Sequence, residues 1–149
     1  SPFTKDFDKI FKGDVFEVFF HPQPDEPVYF EYEVSPLGKE LALLMVSRDG
    51  YIGGWSPWPY EAGSRVEKKV IINGGIKKNG APIKSWTAEL FIPYKLLAAF
   101  QNTPAVKGTI WKANFCRLDY DTGSMVKWAW APIDTSFHET SRYFSLKFE

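Results

Sequence analysis

Hydrophobic and polar positions alternate with a period of two along most of this chain. Val15 to Phe20 is a β-branched and aromatic run that stops at the turn-rich His21-Pro22-Gln23-Pro24-Asp25-Glu26-Pro27. From Val28 to Val34 the alternation is clean, with Tyr29, Glu31 and Glu33 on one side and Phe30, Tyr32 and Val34 on the other. Ser35-Pro36-Leu37-Gly38 is a turn by composition, and Glu40 to Val46 completes an antiparallel meander. Residues 47–64 break the pattern: glycines and prolines sit beside Tyr51, Trp55, Trp58 and Tyr60, which reads as a loop, either a flap over the core or a ligand-facing surface. Strands are predicted over Val66 to Ile72 and Ser85 to Ile92, with turn signals at Asn73-Gly74-Gly75 and Asn79-Gly80-Ala81-Pro82. Pro93 opens the one helical segment, Tyr94 to Phe100, where its missing N–H costs nothing. Thr109 to Tyr120, Met125 to Ala131 and Tyr143 to Phe148 complete a count of about eight strands. The pattern predicts an all-β fold, an antiparallel β-sandwich of jelly-roll type with one short helix.

At 149 residues the chain has the size of one domain, long enough to bury a core without staples. Eighteen basic and eighteen acidic side chains cancel, and no basic cluster stands out, which argues against a nucleic-acid partner. One cysteine, Cys116, excludes a disulfide framework, and no apolar run reaches the roughly 20 residues of a membrane helix. No charged-then-apolar leader opens the sequence at Ser1, so a signal peptide is expected to be gone or never present. Aromatic residues make up 17% of the chain, more than a core of this size requires.

Four segments, in order, carry a resemblance. They are Gly13-Asp14-Val15-Phe16-Glu17-Val18-Phe19-Phe20, the run from Trp86 through Glu89, Ile92 and Pro93 to Leu97, the strand Trp111 to Arg117, and Phe137-His138 followed by Tyr143 to Phe148. Together the sequence resembles family 9 carbohydrate-binding modules and their family-9-like (DOMON-like) relatives, which are β-sandwiches often found beside glycoside hydrolases. The resemblance implies a saccharide or polysaccharide ligand, a glycoside hydrolase partner domain, an extracellular, periplasmic or cell-surface location, and a structural calcium ion. It also implies that residues 1–149 form a single module. Only 13 residues precede the D-x-x-E-V-F element, fewer than the family carries there. The chain thus reads as a piece of a longer domain, or as one completed by another segment or subunit. The two family tryptophans that hold the sugar match Phe11 and Phe137, and the family's basic sugar contact falls near Glu31, reversing its charge.

A sugar presents a C–H face that suits an aromatic ring and a rim of hydroxyls that suits carboxylates and amides. Strand alternation offers Glu17, Glu31 and Asn114 as a polar patch if all three face one space. Phe11 and Phe137 are the expected platforms, and Trp55 or Trp58 extends them; Arg117 is a further hydroxyl contact, with an ion pair across the sheet as its other reading. The alternative for each ring is plain packing, and for Trp128 and Trp130 packing in the core is the expectation. Glu89 reads as satisfying backbone groups or pairing with a basic residue. Asp6, Asp8, Asp119 and Asp121 supply hard oxygen ligands near turns, without EF-hand spacing. The expected function is non-catalytic carbohydrate binding in polysaccharide degradation or uptake. Three alternatives stay open. One is a domain with its own glycoside hydrolase activity. Another is a haem-binding domain using Met45, Met125, His21 or His138 as axial ligands. The last is a structural interaction domain.

Overall fold

Among the described residues, seven of the nine strands belong to one antiparallel sheet, and its two faces carry different chemistry. The coordinates are a computed structural model, which describes residues 1–58 and 63–149. The strands are β1 (Val15–His21), β2 (Val28–Val34), β3 (Glu40–Arg48), β4 (Tyr51–Pro57), β5 (Glu67–Asn73), β6 (Ser85–Phe91), β7 (Ile110–Asp119), β8 (Val126–Ala129) and β9 (Phe144–Lys147). The large sheet runs β4-β3-β2-β1-β7-β8, and β9 pairs with the first half of β7 while β8 pairs with its second half. β5 and β6 form a separate hairpin. The fold is an all-β sandwich. The segment expected to be helical is a short 3-10 turn, Tyr94–Leu97, capped by Pro93. Among the described residues no helix is long and apolar enough to cross a membrane.

The β2–β3 connection follows from its residues. The Gly38 N–H donates to the Ser35 carbonyl at 2.8 Å, and Gly38 sits at φ +78°, a left-handed conformation that a side chain would strain. Period-two alternation then sorts the side chains by face. One face presents Val18, Phe30, Tyr32, Ala42 and Trp111, all buried, and receives the inward side of the hairpin (Val70, Trp86, Ala88, Leu90) together with Leu96 and Leu97 of the 3-10 turn. Each fully buried side chain of this kind contributes roughly 1.5–3 kcal/mol.

The opposite face carries Val15 and Phe19 of β1, Tyr29 of β2, Leu41, Leu43 and Met45 of β3, and Cys116 and Leu118 of β7. Among the described residues no second sheet covers it. Ile10, Phe11, Phe137 and Tyr143, from the segments before β1 and after β8, close over it instead. Both faces of β1, β2 and β3 are therefore covered, one by the hairpin and one by irregular chain.

Two expectations are corrected here. Tyr51 to Pro57 is strand β4 and not a loop, pairing with β3 so that Trp55 faces Met45. Its glycines and its proline are tolerated at the edge of the sheet, where one side of the strand makes no ladder hydrogen bonds. Pro59 and Tyr60 of that stretch lie outside the described residues. Trp128 and Trp130, expected in the core, are 62% and 48% exposed, because the hairpin reaches only part of its face of the sheet.

Candidate functional site

On the irregularly covered face the sheet forms the floor of an open cavity of about 370 Å³, within the range typical of small-molecule sites. The floor is acidic. β1 contributes Glu17, and β2 contributes Glu31 and Glu33, all buried and all lining the cavity. Glu17 and Glu33 are cross-strand partners in the β1–β2 register, and Glu31 lies two residues from Glu33 on the same face. Neither oxygen of Glu33 nor Oε2 of Glu31 makes a hydrogen bond of good geometry among the described residues, although the two carboxyls act on each other and the Phe11 N–H acts on Glu33.

Burial dominates the protonation of this group. It pushes Glu31 up to about 8 and holds Glu33 well above the usual carboxylate range, where the charges of Glu31 and Glu17 add to it. Glu17 is raised for the same two reasons, burial first and then Glu31, with the Lys127 ammonium pulling the other way. His138 lines the same cavity, and burial holds its imidazole down to about 4, so it is neutral at physiological pH. The Tyr29 hydroxyl lies 2.6 Å from His138 Nδ1 and fixes the ring, whose Nδ1 is 4.0 Å from Glu31 Oε2.

The walls are aromatic and aliphatic. Phe11 sits at one side, its carbonyl accepting the Tyr120 hydroxyl at 3.3 Å, and Trp55 stands on β4, 46% exposed. Phe137 is nearly buried; its ring packs edge-on against Phe19 at 6.3 Å, and the Lys127 ammonium lies 5.7 Å from its centroid. The segment that carries Phe137 is held by Glu139, whose carboxylate accepts the backbone N–H groups of Asp134, Thr135 and Ser136 at 2.7–2.8 Å. Those three bonds draw the Glu139 carboxyl down to about 2. The Tyr143 hydroxyl donates to the Phe137 carbonyl at 2.7 Å and ties the same segment to the core.

Of the residues singled out from sequence, Phe11, Glu17, Glu31, Trp55 and Phe137 line this one cavity. Asn114, Trp58 and Arg117 lie elsewhere, each engaged by the protein itself. Asn114 shares the face, but its Oδ1 accepts the N–H groups of Ala131 at 2.8 Å and Phe115 at 2.9 Å, and its Nδ2 donates to the Ala131 carbonyl. Trp58 donates its indole N–H to the Leu96 carbonyl at 3.1 Å and stacks on Phe100, anchoring the chain after β4. Arg117 is on the other face of β7 and pairs with Asp119 at 2.8 Å. Glu89 is exposed on β6, opposite Lys69.

Sequence reasoning did not single out Glu33, Lys12 or Lys127, which also line the cavity. Glu33 had a signal, since it alternates in phase with Glu31. The lysines had none, because each reaches the cavity from a segment whose position depends on tertiary packing.

The aspartates expected to hold calcium separate. Asp6 pairs with Arg65, Asp8 accepts the Lys5 N–H, and only Asp119 and Asp121 meet, joined by Asp14, with carboxylate oxygens within 4.8 Å of one another. Asp14 accepts the Tyr120 N–H, and Asp119 accepts the Asp121 N–H and pairs with Arg117. Asp14 Oδ1 and both oxygens of Asp119 are thus engaged by the protein's own donors, whereas among the described residues none is seen on the Asp121 carboxylate.

No family model matches the chain, and no curated protein matches it. Among solved structures the chain is similar to a putative carbohydrate-binding protein from Bacteroides uniformis, at 18% sequence identity and a TM-score of 0.75. The match covers 97% of this chain and 65% of the other, so this chain spans about 65% of the length of that neighbour. At that identity the likeness shows a shared fold: the sandwich built here by β1 to β9 is one that the Bacteroides uniformis protein also adopts.

Proposed function

We propose that this chain is a non-catalytic carbohydrate-binding module of the family-9-like type, acting in polysaccharide degradation or uptake. In this reading a sugar ring enters the cavity beside Phe11 and Trp55, with Phe137 as the inner wall. The carboxyls of Glu17, Glu31 and Glu33 bond its hydroxyls. One observation carries the reading: aromatic rings and buried carboxyls line the same open cavity. That pairing matches the two surfaces of a sugar, its C–H face and its hydroxyl rim. The carbohydrate-binding name of the Bacteroides uniformis neighbour supports the same reading. The module works outside the cytoplasm, alongside a glycoside hydrolase.

A glycan array followed by calorimetry on the strongest hits tests this. Saturable binding without turnover of chromogenic glycosides is the expected result, and it weakens on Phe11→Ala or Trp55→Ala. Turnover would move the chain to the hydrolases, and binding indifferent to both substitutions would remove the cavity as the site.

Haem binding draws on Met45, Met125 and His138, which all line this cavity. The cavity floor argues against it, since Glu17, Glu31 and Glu33 would lie against a macrocycle that needs apolar walls. The residues do not fit a haem. No Soret shift is expected when haemin is added.

A further inference from the structure

A carboxylate with a purely structural role is fully paired in this protein. Glu40, completely buried, takes Arg65 and Lys68 as ion partners and the Tyr32 hydroxyl as a donor at 2.7 Å. Glu31 and Glu33 are comparably buried and, among the described residues, gain no lysine or arginine partner; they act on each other, and the Phe11 N–H acts on Glu33. The imidazole nearest Glu31 is neutral. Lys127 donates to the Thr135 carbonyl, and its charge lowers Glu17. Lys12, the other cation on the wall, makes no ion pair with any of the three carboxyls. Among the described residues, then, no lysine or arginine forms an ion pair with Glu31 or Glu33, and both open onto the cavity.

We propose that Glu31 and Glu33 form a subsite for a positively charged nitrogen of the ligand, so that the preferred saccharide carries a free amine. This rests on the carbohydrate-binding reading and narrows its substrate class. A hydroxyl gives a carboxyl one hydrogen bond and no charge, whereas an ammonium gives three donors and a positive charge that favours release of the carboxyl proton as the ligand binds. Charge-assisted bonds are roughly twice as strong as neutral ones, and inside a cavity they are screened less than in water. Acetylating the amine removes the charge, and a uronic acid adds a repelling one. The rings of Phe11 and Trp55 then serve the sugar's C–H face while the amine points to the floor.

Calorimetry at pH 7 with three oligosaccharides of equal length tests the subsite: glucosamine oligomers, their N-acetylated forms and glucose oligomers. The free-amine oligomer is expected to bind at least tenfold more tightly than the other two. Glu33→Gln and Glu31→Gln, each checked for folding by near-ultraviolet circular dichroism, are expected to bring that preference to about twofold. The exposed control Glu89→Gln should leave it unchanged. Neutral oligomers binding as tightly as the amine form would overturn the subsite and leave the carbohydrate reading standing. Persistence of the preference in both cavity variants would also overturn it. If no saccharide bound at all, both readings would fall.

Discussion

Glu17 and Glu33 stand directly opposite each other across β1 and β2, on the sheet face that floors the cavity. Like charges in that register repel, and burial adds the cost of desolvation. A carboxyl whose native pKa lies above its unfolded value keeps its proton longer when folded, so stability falls as pH rises through the interval between the two. For Glu31 that interval runs from 4.5 to about 8. His138 and His21, both depressed by burial, act in the opposite sense below 6.5, where acidification costs stability. Between pH 6.5 and 8 the carboxyls act without that opposition. The urea midpoint is expected to fall across this range, at a slope approaching about 1.4 kcal/mol per pH unit for each group that titrates. Glu31→Gln flattens the slope. A midpoint constant from pH 6.5 to 8.5 would mean that the carboxyls do not hold their protons in the native state.

Asn114 engages its amide with the Ala131 and Phe115 backbone, and its substitution is expected to read as structural. Ala131 and Asn114 are both completely buried, so Asn114→Ala leaves the Ala131 N–H and carbonyl without partners. Each orphaned buried group costs about 1–3 kcal/mol, and a total near 3 kcal/mol is expected in urea denaturation. Saccharide affinity, measured where the variant is folded, is expected to stay within about twofold. An affinity loss at unchanged stability would return Asn114 to the ligand site.

Strand positions were legible because both faces of the central strands follow period two. Tyr29, Glu31 and Glu33 against Phe30, Tyr32 and Val34 marks β2 from Val28 to Val34, and the structure ends the strand at the same residues. β4 was not legible, since Gly53, Gly54 and Pro57 carry the composition of a loop and only its edge position lets them stand in a strand. The site was half legible. Alternation puts acids on one face of β1 and β2, but it does not say which face is covered or by what. The closure by Phe137 and the arrival of Lys127 depend on contacts between segments far apart in the chain. The same blindness explains Trp128 and Trp130, whose alternation is that of core residues although the hairpin stops short of them.

Phe137 and Phe11 should separate in a stability measurement. Phe137 is 6% exposed and packs on Phe19, so Phe137→Ala is expected to cost roughly 3–5 kcal/mol. Phe11 is only partly buried and sits at the mouth, so Phe11→Ala should cost less than half as much. Loss of one stacked ring corresponds to about 0.5–1.5 kcal/mol, which is roughly a twofold to twelvefold drop in saccharide affinity for Phe11→Ala. Equal destabilisation by the two substitutions would assign both rings to the core and leave Trp55 as the one aromatic platform.

Glu40 and Glu33 give the sharpest contrast, because one chemical change should act on them with opposite sign. Glu40→Gln removes an ion partner of Lys68, whose side chain is only 15% exposed, and one of the two carboxylates paired with Arg65, whose side chain is 57% exposed and which keeps Asp6. Breaking a buried pair by deleting one partner costs about 3–5 kcal/mol, since the other charge is left uncompensated. Arg65 keeps much of its hydration, so the lower end of that range is expected. Glu33→Gln removes a carboxyl that has no cation beside it and faces Glu17 directly. At pH 8 it relieves both the desolvation of a charge and its repulsion, and a gain of about 1 kcal/mol or more follows. At pH 5, where the native carboxyls hold their protons, the gain should shrink toward zero. Urea denaturation of both variants at pH 5 and pH 8 checks this. Destabilisation by Glu33→Gln at pH 8 comparable to that of Glu40→Gln would show that Glu33 holds the fold together and is not held open for a ligand.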